Sequence, residues 1–272
     1  MSILGNYAVG SDAEVLLKDK AGKYRSAIGL IGGSKENPRP TKHGFVQEDN
    51  VLAEFNVNPS RSEAEFVRNT KLILADLDEI IKPLDFTVDI KASALFDLDQ
   101  LHHPLALLAG CEPDYDAWDL VPNEKPTLEG TQLRSCGGHV HVSFDEADND
   151  PMHRPNLVRV LDLVAAIPAV IMDTDTRRRS LYGKAGCHRP KITMNGDSYD
   201  GVEYRTLSNF WLRNEKTMAW VYRTVDRAMT DFTELLEAAN AMRHEIVDTI
   251  NSGNVSKAEQ IVKQFNLEVV NG

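Results

Sequence analysis

The stretch Gly137-Gly-His-Val-His-Val-Ser-Phe144 decides how the fold of this chain is interpreted. Successive side chains of an extended strand point to opposite faces, so His139, His141 and Ser143 share one face. Two valines and Phe144 share the other face and form an apolar base. A strand of this kind presents two imidazoles from a rigid support. Imidazoles so placed suit a metal or a phosphate group, and the strand alone does not distinguish the two.

The bulk composition limits the class of protein. The chain has 272 residues and a formal net charge of −11, which suits one large domain and disfavours an extended nucleic-acid surface. Its three cysteines, Cys111, Cys136 and Cys187, are an odd and widely spaced set, which argues against a disulfide framework. The N-terminus lacks the features of a signal peptide, and no apolar run approaches the roughly 20 residues of a membrane helix. We therefore expect a cytoplasmic protein without a membrane partner.

The pattern along the chain predicts strands and one helix in the first half and mostly helices in the second. Alternation of apolar and polar residues predicts further strands at 12–17, 24–31, 50–57, 87–94 and 201–206. Helical spacing of apolar residues predicts helices from Ser62 to about Lys82, from Asn156 to Met172 and from Asn214 to about Met242. Ser256 is expected to cap a final short helix. We expect a single domain over residues 1–272, mostly helical from about residue 214, with a long ordered loop at 100–132.

Four of the predicted strands carry ionisable or amide side chains on one face. The pairs are Asp12 with Glu14, Glu54 with Asn56, His139 with His141, and Glu203 with Arg205. Any one of these strands can be the solvated face of an ordinary sheet. Together in one sheet, however, they gather carboxylates whose mutual repulsion needs a counter-charge. Oxygen-rich ligands suit Mg²⁺ or Mn²⁺, and a histidine ligand favours Mn²⁺ slightly.

A basic segment interrupts the otherwise acidic chain. Within 15 residues it contains Arg177, Arg178, Arg179, Lys184, His188, Arg189 and Lys191. Such a segment is either a solvated basic loop or a phosphate clamp, because guanidinium groups bind phosphate with two hydrogen bonds. Neither a GxxxxGK[ST] run nor a GxGxxG turn is present. Any nucleotide must therefore be bound by another architecture. The acidic metal-ligand candidates and this basic segment together fit a nucleoside triphosphate chelated by metal ions.

The ordered set Asp12-x-Glu14, Glu54-Phe-Asn56, Gly138-His-Val-His-Val-Ser143 and Glu203-Tyr-Arg205 resembles the glutamine synthetase / glutamate–cysteine ligase superfamily. The phage branch, the COOH-NH2 ligase family of phiEco32-like phages, is the most similar. The resemblance spans about residues 10–215. It implies an α+β, glutamine synthetase-like fold, with a curved, mainly antiparallel sheet, a concave active-site face and helices packed on the other face. It also implies a host-cytoplasmic location if the chain is phage-encoded.

The same resemblance implies an ATP- and Mg²⁺-dependent ligase (Mn²⁺ is the alternative ion) that forms an amide bond through an acyl phosphate. The substrates would be an amino acid or peptide carboxylate and an amine. The implied metal ligands are Asp12, Glu14, Glu54, His139 and Glu203. The implied contacts to nucleotide or substrate anions are His141, Lys35, Arg178, Arg179, Arg189 and Lys191. Arg205 and Glu203 would act in catalysis, and Asp49 is a candidate for binding the incoming ammonium.

Two other functions are compatible with the sequence. One is a metal-dependent hydrolase with zinc on the His139-x-His141 pair, although the alternating β/α pattern of the usual barrel is absent. The other is a catalytically inactive nucleotide-binding relative. A homo-oligomer is compatible with the sequence, which leaves the acid, the amine and the number of metal ions open.

Overall fold

A large antiparallel sheet with helices on one face forms an α+β fold. The computed structural model describes residues 3–108, 113–193 and 199–270. In chain order, its strands are β1 (Tyr7–Lys18), β2 (Tyr24–Arg25), β3 (Arg39–Pro40), β4 (Phe45–Asp49), β5 (Leu52–Ser60), β6 (Thr87–Asp89), β7 (Ser93–Leu95), β8 (Tyr115–Asp116), β9 (Val121–Pro122), β10 (Leu133–Ser135), β11 (Gly138–Phe144), β12 (Cys187–Lys191) and β13 (Gly201–Tyr204).

The main sheet brings distant parts of the chain side by side. Its order is β3-β4-β5-β1-β11-β13-β12-β8-β9, with β2 and β6 paired to the end of β1 and β7 paired separately with β10. All of these pairings are antiparallel. In this register Asp12 lies opposite His139, and Glu14 lies opposite Glu54. Glu203 lies between His141 and Arg189 on the neighbouring strands. The predicted ionisable pairs therefore share one face.

The opposite face of the sheet is apolar and carries the helices. Val9, Ala13, Val15 and Leu17 of β1 are fully buried there, as period-two alternation requires. The helices are α1 (Glu63–Ile81), α2 (His153–Leu161), α3 (Ile167–Met172), α4 (Glu215–Thr230), α5 (Phe232–Ala241), α6 (Arg243–Ser252) and α7 (Val255–Phe265). Helix α1 packs on β5, and α2 packs on β12 and β13. One hydrophobic core joins the strands to α1 and the C-terminal helices.

A smaller hydrophobic cluster closes one end of the polar face. Leu16, which follows Glu14 on that face, packs with Leu52, Phe96 and Leu101. Short 3₁₀ helices at Leu98–Leu101 and Pro104–Leu107 contribute Leu101 and Ala106 to this cluster. The segment predicted as an ordered loop therefore forms a wall beside the ionisable residues.

The run from His153 to Met172 is one continuous helical stretch with a π-helical turn at Asp162–Ala166 between α2 and α3. It is long and apolar enough to cross a membrane by length and composition, so the expectation that no run reaches this length was wrong. Most of the run is buried inside the protein, however, as in a core helix of a soluble protein. The π turn ends at Ala166, two residues before Pro168.

The Asp162 carboxylate ties this helical run to the sheet. It is fully buried and accepts hydrogen bonds from Trp118 Nε1 at 2.7 Å, the Tyr204 hydroxyl at 2.7 Å and the Gly186 amide at 2.6 Å. Burial raises its pKa to about 7, and these three hydrogen bonds only partly oppose that rise.

Several predicted elements differ from the structure. The expected strand 24–31 is limited to Tyr24–Arg25, and the expected strand 87–94 is divided between β6 and β7 in two different sheets. Strand β12 lies in the segment that was interpreted as a basic loop. The expected helix 214–242 is interrupted at Asp231, and α6 was not predicted. Helix α7 is capped by Asn254 rather than Ser256, because the Asn254 side chain accepts the Lys257 amide.

Candidate active site

The Asp12 carboxylate lies at the centre of the polar face, between the two histidines of β11. Its Oδ1 atom is 3.1 Å from His139 Nδ1 and 3.0 Å from His141 Nε2. His139 Nδ1 is also 3.7 Å from Oε1 of Glu203. Ligand atoms of Asp12, His141 and Glu203 lie within 4.8 Å of one another, so these three could hold a metal ion together. His139 borders this group through Asp12.

The Glu203 carboxylate is fully buried and meets three cations. Arg189 Nη1 donates to both of its oxygens, at 3.1 and 3.0 Å, and Lys191 Nζ lies 3.1 Å away. Arg205 Nη1 also donates to it. Burial and the neighbouring Asp12 raise the pKa of Glu203, but the charges of Arg205 and Arg189 outweigh them and hold it well below its usual range. Glu203 is therefore an anion that holds a row of cations in place.

A second group of carboxylates lies on the other side of β1. Ligand oxygens of Glu14, Asp49 and Glu54 lie within 4.8 Å of one another. Gln47 Nε2 donates to Glu54 Oε1 at 2.9 Å, and the amide of Gly137 donates to Glu14. These contacts fix the two buried side chains in place.

The carboxyl groups of this second group repel one another in a buried setting. Burial, followed by the charge of Asp49, raises the pKa of Glu14 to about 8. Burial, with the charges of Asp12 and Asp49, raises the pKa of Glu54 well above its usual value. A divalent cation among them would relieve the repulsion, because all of the available ligand atoms are oxygens.

The loop before β3 places Lys35 over the sheet. Lys35 lines an open cleft together with Asp12, Glu14, Glu54 and Arg205. The Glu48 carboxylate fastens this loop by accepting the amides of Gly29 and Gly32, both at 2.8 Å. Gly33 has φ +85°, and a Cβ there would lie 2.5 Å from the backbone nitrogen of Arg39. The Gly-Gly turn is therefore required for the path of the loop.

Two arginines expected to bind anions have other surroundings: Arg178 donates to backbone carbonyls, and Arg179 lies away from the cleft. Arg178 is buried and donates to the carbonyl oxygens of Cys136, Thr206 and Arg205, at 3.0, 2.9 and 3.1 Å. It fixes the chain on both sides of the site. Arg179 lines a small cavity with Asp173, Asp175 and Ile250, next to the helices. Arg179 therefore does not line the cleft that contains Lys35, Arg189 and Arg205.

Sequence reasoning missed Asp114. Its Oδ2 atom lies 3.3 Å from Arg205 Nε and accepts the Cys187 thiol at 3.2 Å. Arg205 is therefore held between Glu203 and Asp114. The signal was weak, because Asp114 comes from the segment 100–132, where no periodicity indicates which side chains point at the sheet.

Comparison with known proteins gives one family. The model of the family described as "Phage phiEco32-like COOH.NH2 ligase-type 2" matches residues 130–271, just over half of the chain. The match includes His139, His141, Glu203 and Arg205, whereas Glu14, Asp49 and Glu54 lie before it. No curated protein matches the sequence significantly. The chain therefore belongs to the phage phiEco32-like COOH-NH2 ligase (type 2) family.

Proposed function

We propose that this protein is an ATP- and Mg²⁺-dependent carboxylate–amine ligase that forms an amide bond through an acyl phosphate. The family supplies the reaction class, a carboxylate joined to an amine. One observation carries the finer proposal: two groups of three side chains, each close enough together to hold a metal ion, share a sheet face with the three cations around Glu203. A metal-chelated triphosphate requires carboxylates that bind its divalent metal ions and, beside them, basic side chains that bind its phosphate oxygens.

The residues fit a divalent cation at the second carboxylate group. Glu14 and Glu54, with Asp49 beside them, would hold Mg²⁺, since these side chains offer oxygens only and burial together with neighbouring carboxylates raises the pKa of Glu14 and of Glu54. His139 Nδ1 lies 3.1 Å from Asp12 and 3.7 Å from Glu203, and this mixture of nitrogen and oxygen ligands is compatible with Mn²⁺. The ions would neutralise the charge of the phosphates. Glu203 already serves three cations, so we infer that its main role is to position them.

The two histidines suit different ligands. Burial, followed by the charge of Arg205, lowers the pKa of His139, and a neutral imidazole can bind a metal. Burial also lowers the pKa of His141, but the charge of Asp12 outweighs it and the net shift is upward. A protonated His141 would donate to a phosphate oxygen. These directions support the proposal that His139 is a metal ligand and His141 a phosphate contact.

The remaining roles follow from charge and position. Arg189, Lys191 and Lys35 line one cleft with His141 and would bind phosphate oxygens. Arg205, which Glu203 and Asp114 hold on both sides, would stabilise the charge of the phosphoryl group during transfer. Asp49 lies at the mouth of the second carboxylate group and would attract the ammonium form of the amine. A small-molecule acid and amine are the proposed partners.

The proposal is tested by release of ADP and phosphate from ATP with Mg²⁺, using mixtures of carboxylic acids and amines. We expect release that requires both the acid and the amine, with an amide product detected by mass spectrometry. Glu54→Gln and Arg205→Lys should each lower the rate about 100-fold or more. Glu237→Gln, an exposed glutamate on α5, is the matched control and should retain the rate.

Other outcomes would select another function. Hydrolysis that needs zinc and no ATP would support the zinc hydrolase on His139 and His141. Binding of Mg²⁺-ATP without turnover on any acid and amine would support the inactive nucleotide-binding relative. Full activity of Glu54→Gln and Arg205→Lys would contradict the proposed site.

A further inference from the structure

The imidazole of His139 lies directly against Gly137, two residues earlier in the chain. A Cβ atom added at Gly137 would lie 2.1 Å from Nε2 of His139 and 2.7 Å from both Cδ2 and Cε1 of the same ring. Non-bonded heavy atoms pack best at about 3.5–4.0 Å. The ring therefore occupies the space that any side chain at position 137 would need.

This placement of the ring decides which of its nitrogens faces the charged side chains. Nε2 lies against Gly137, whereas Nδ1 is 3.1 Å from Asp12 Oδ1 and 3.7 Å from Glu203 Oε1. Arg205 Nη1 is 3.4 Å from the same Nδ1 atom. Only 7% of the His139 side chain is exposed, so the ring has little room to turn elsewhere. Nδ1 is thus the nitrogen that could bind a metal together with Asp12 or Glu203.

The backbone around Gly137 is held by hydrogen bonds, which leave it little freedom to make room for a Cβ. Its amide donates to the Glu14 carboxylate, and its carbonyl oxygen accepts the Glu14 amide at 2.9 Å. The amide of Gly138 donates to the Leu207 carbonyl at 3.0 Å, and the Gly138 carbonyl accepts Trp211 Nε1 at 3.1 Å. Moving the strand would break these bonds, whereas an imidazole turns about single bonds. A side chain at position 137 would therefore displace the ring.

We propose that Gly137 is a positioning residue, whose missing side chain allows His139 to direct Nδ1 at Asp12 and Glu203. This inference rests on the proposed function, in which His139 is a metal ligand. Contacts that orient a ligating histidine typically change metal affinity about 10–100-fold when they are removed. At Gly137 the orienting feature is the space above a glycine, and filling that space should have a similar effect.

A double-mutant cycle in urea unfolding tests the contact without any metal. It compares the wild type with Gly137→Ala, His139→Ala and the double variant. Gly137→Ala should lower the urea midpoint of the wild type, because the new Cβ and the imidazole need the same space. In the His139→Ala background the same substitution should lower the midpoint less than about half as much, since no ring remains to be displaced.

Gly10→Ala on β1 is the matched control for the cycle. Its Cβ would lie 3.1 Å from the carbonyl oxygen of Val57, a backbone atom, so its effect should be equal with and without His139. Equal losses from Gly137→Ala in the two backgrounds would overturn the proposal. If Gly137→Ala does not fold, a folded double variant supports the proposal. A double variant that also fails to fold overturns it, because position 137 is then restricted by atoms other than the imidazole.

Binding of Mn²⁺ to the full chain, measured by calorimetry, connects this contact to the proposed metal site. Gly137→Ala should weaken about tenfold or more the Mn²⁺ binding that depends on His139, and should have no further effect in His139→Ala. Unchanged Mn²⁺ affinity in Gly137→Ala would overturn the positioning role. If the cycle shows the coupling but the wild type does not bind Mn²⁺, the metal role of His139 in the proposed function is refuted, and the control of the ring by Gly137 stands.

Discussion

Replacement of Glu203 by glutamine tests the charge balance of the site most directly. The carboxylate is fully buried and has Arg189 at 3.0 and 3.1 Å and Lys191 at 3.1 Å, with Arg205 also bonded to it. Glutamine has nearly the same shape but is neutral. It keeps one acceptor oxygen and turns an amide group, which donates, toward cations that also donate.

The expected cost follows from this arrangement. Removing one partner of a buried ion pair costs about 3–5 kcal/mol, because the other charge stays buried without compensation. Here three cations lose their shared anion, so we expect the upper part of that range, about 4–5 kcal/mol. An exposed ion pair costs about 1 kcal/mol or less. Glu268, which pairs with Arg223 at the surface, therefore provides the control Glu268→Gln.

Urea unfolding followed by tryptophan fluorescence measures both variants. We expect Glu203→Gln to lose several times more stability than Glu268→Gln. Tripolyphosphate without metal should then stabilise Glu203→Gln more than the wild type, because the three cations regain a counter-charge. Turnover of the proposed ligase should fall about 100-fold or more. A loss of stability equal to that of the control, with no differential effect of tripolyphosphate, would refute the reasoning.

Three further predictions concern the fold. The pKa of the Asp162 carboxyl is about 7 in the folded state and 3.8 in its ordinary, unfolded environment. The protonated carboxyl therefore stabilises the fold fully below pH 3.8, and this contribution is lost as the pH rises to about 7. Asp162→Asn should remove that part of the pH dependence, on the order of 4 kcal/mol, in urea unfolding across this range. Asn254→Ala should lower stability by about 1 kcal/mol and Ser256→Ala by much less, which thermal unfolding can compare. Gly138→Ala should prevent folding or cost several kcal/mol, judged by circular dichroism, since its Cβ would lie 2.4 Å from Trp211 Nε1; a stable variant would contradict that packing.

The strands that carry the site were predictable because their sequences alternate. In β1, β5, β11 and β13, apolar residues face the helices and ionisable residues face the cleft, so period two gives both the strand and its orientation. Helix α1 was predictable from the helical spacing of its apolar residues, and the Ser62 side chain caps it by accepting the Glu65 amide. The glutamine synthetase-like form of the fold stays a prediction.

Other elements and side-chain positions depend on tertiary contacts, which cannot be predicted from a local sequence pattern. Strand β12 reads as a polar, proline-containing loop, and it is a strand because β13 and β8 pair with its two edges. The break at Asp231 falls inside a continuous helical pattern and depends on packing between α4 and α5. Arg178 and Arg189 belong to the same basic segment. Only the structure shows that Arg178 donates to carbonyls while Arg189 reaches Glu203.

The order of strands in the sheet separates acidic side chains on one side of the site from basic side chains on the other, and the order of the sequence does not show this separation. Asp49, Glu54 and Glu14 lie on β4, β5 and β1, the histidines lie on β11, and Arg189 and Lys191 lie on β12. Because β12 pairs with β13 and β8 and not with β1, β4 or β5, its cations lie at the side of the sheet away from Glu14, Asp49 and Glu54. Under the proposed function, this arrangement favours one orientation of a ligand with metal ions at one end and phosphate oxygens at the other. The sheet topology would therefore fix the orientation of a metal–triphosphate before any side chain moves.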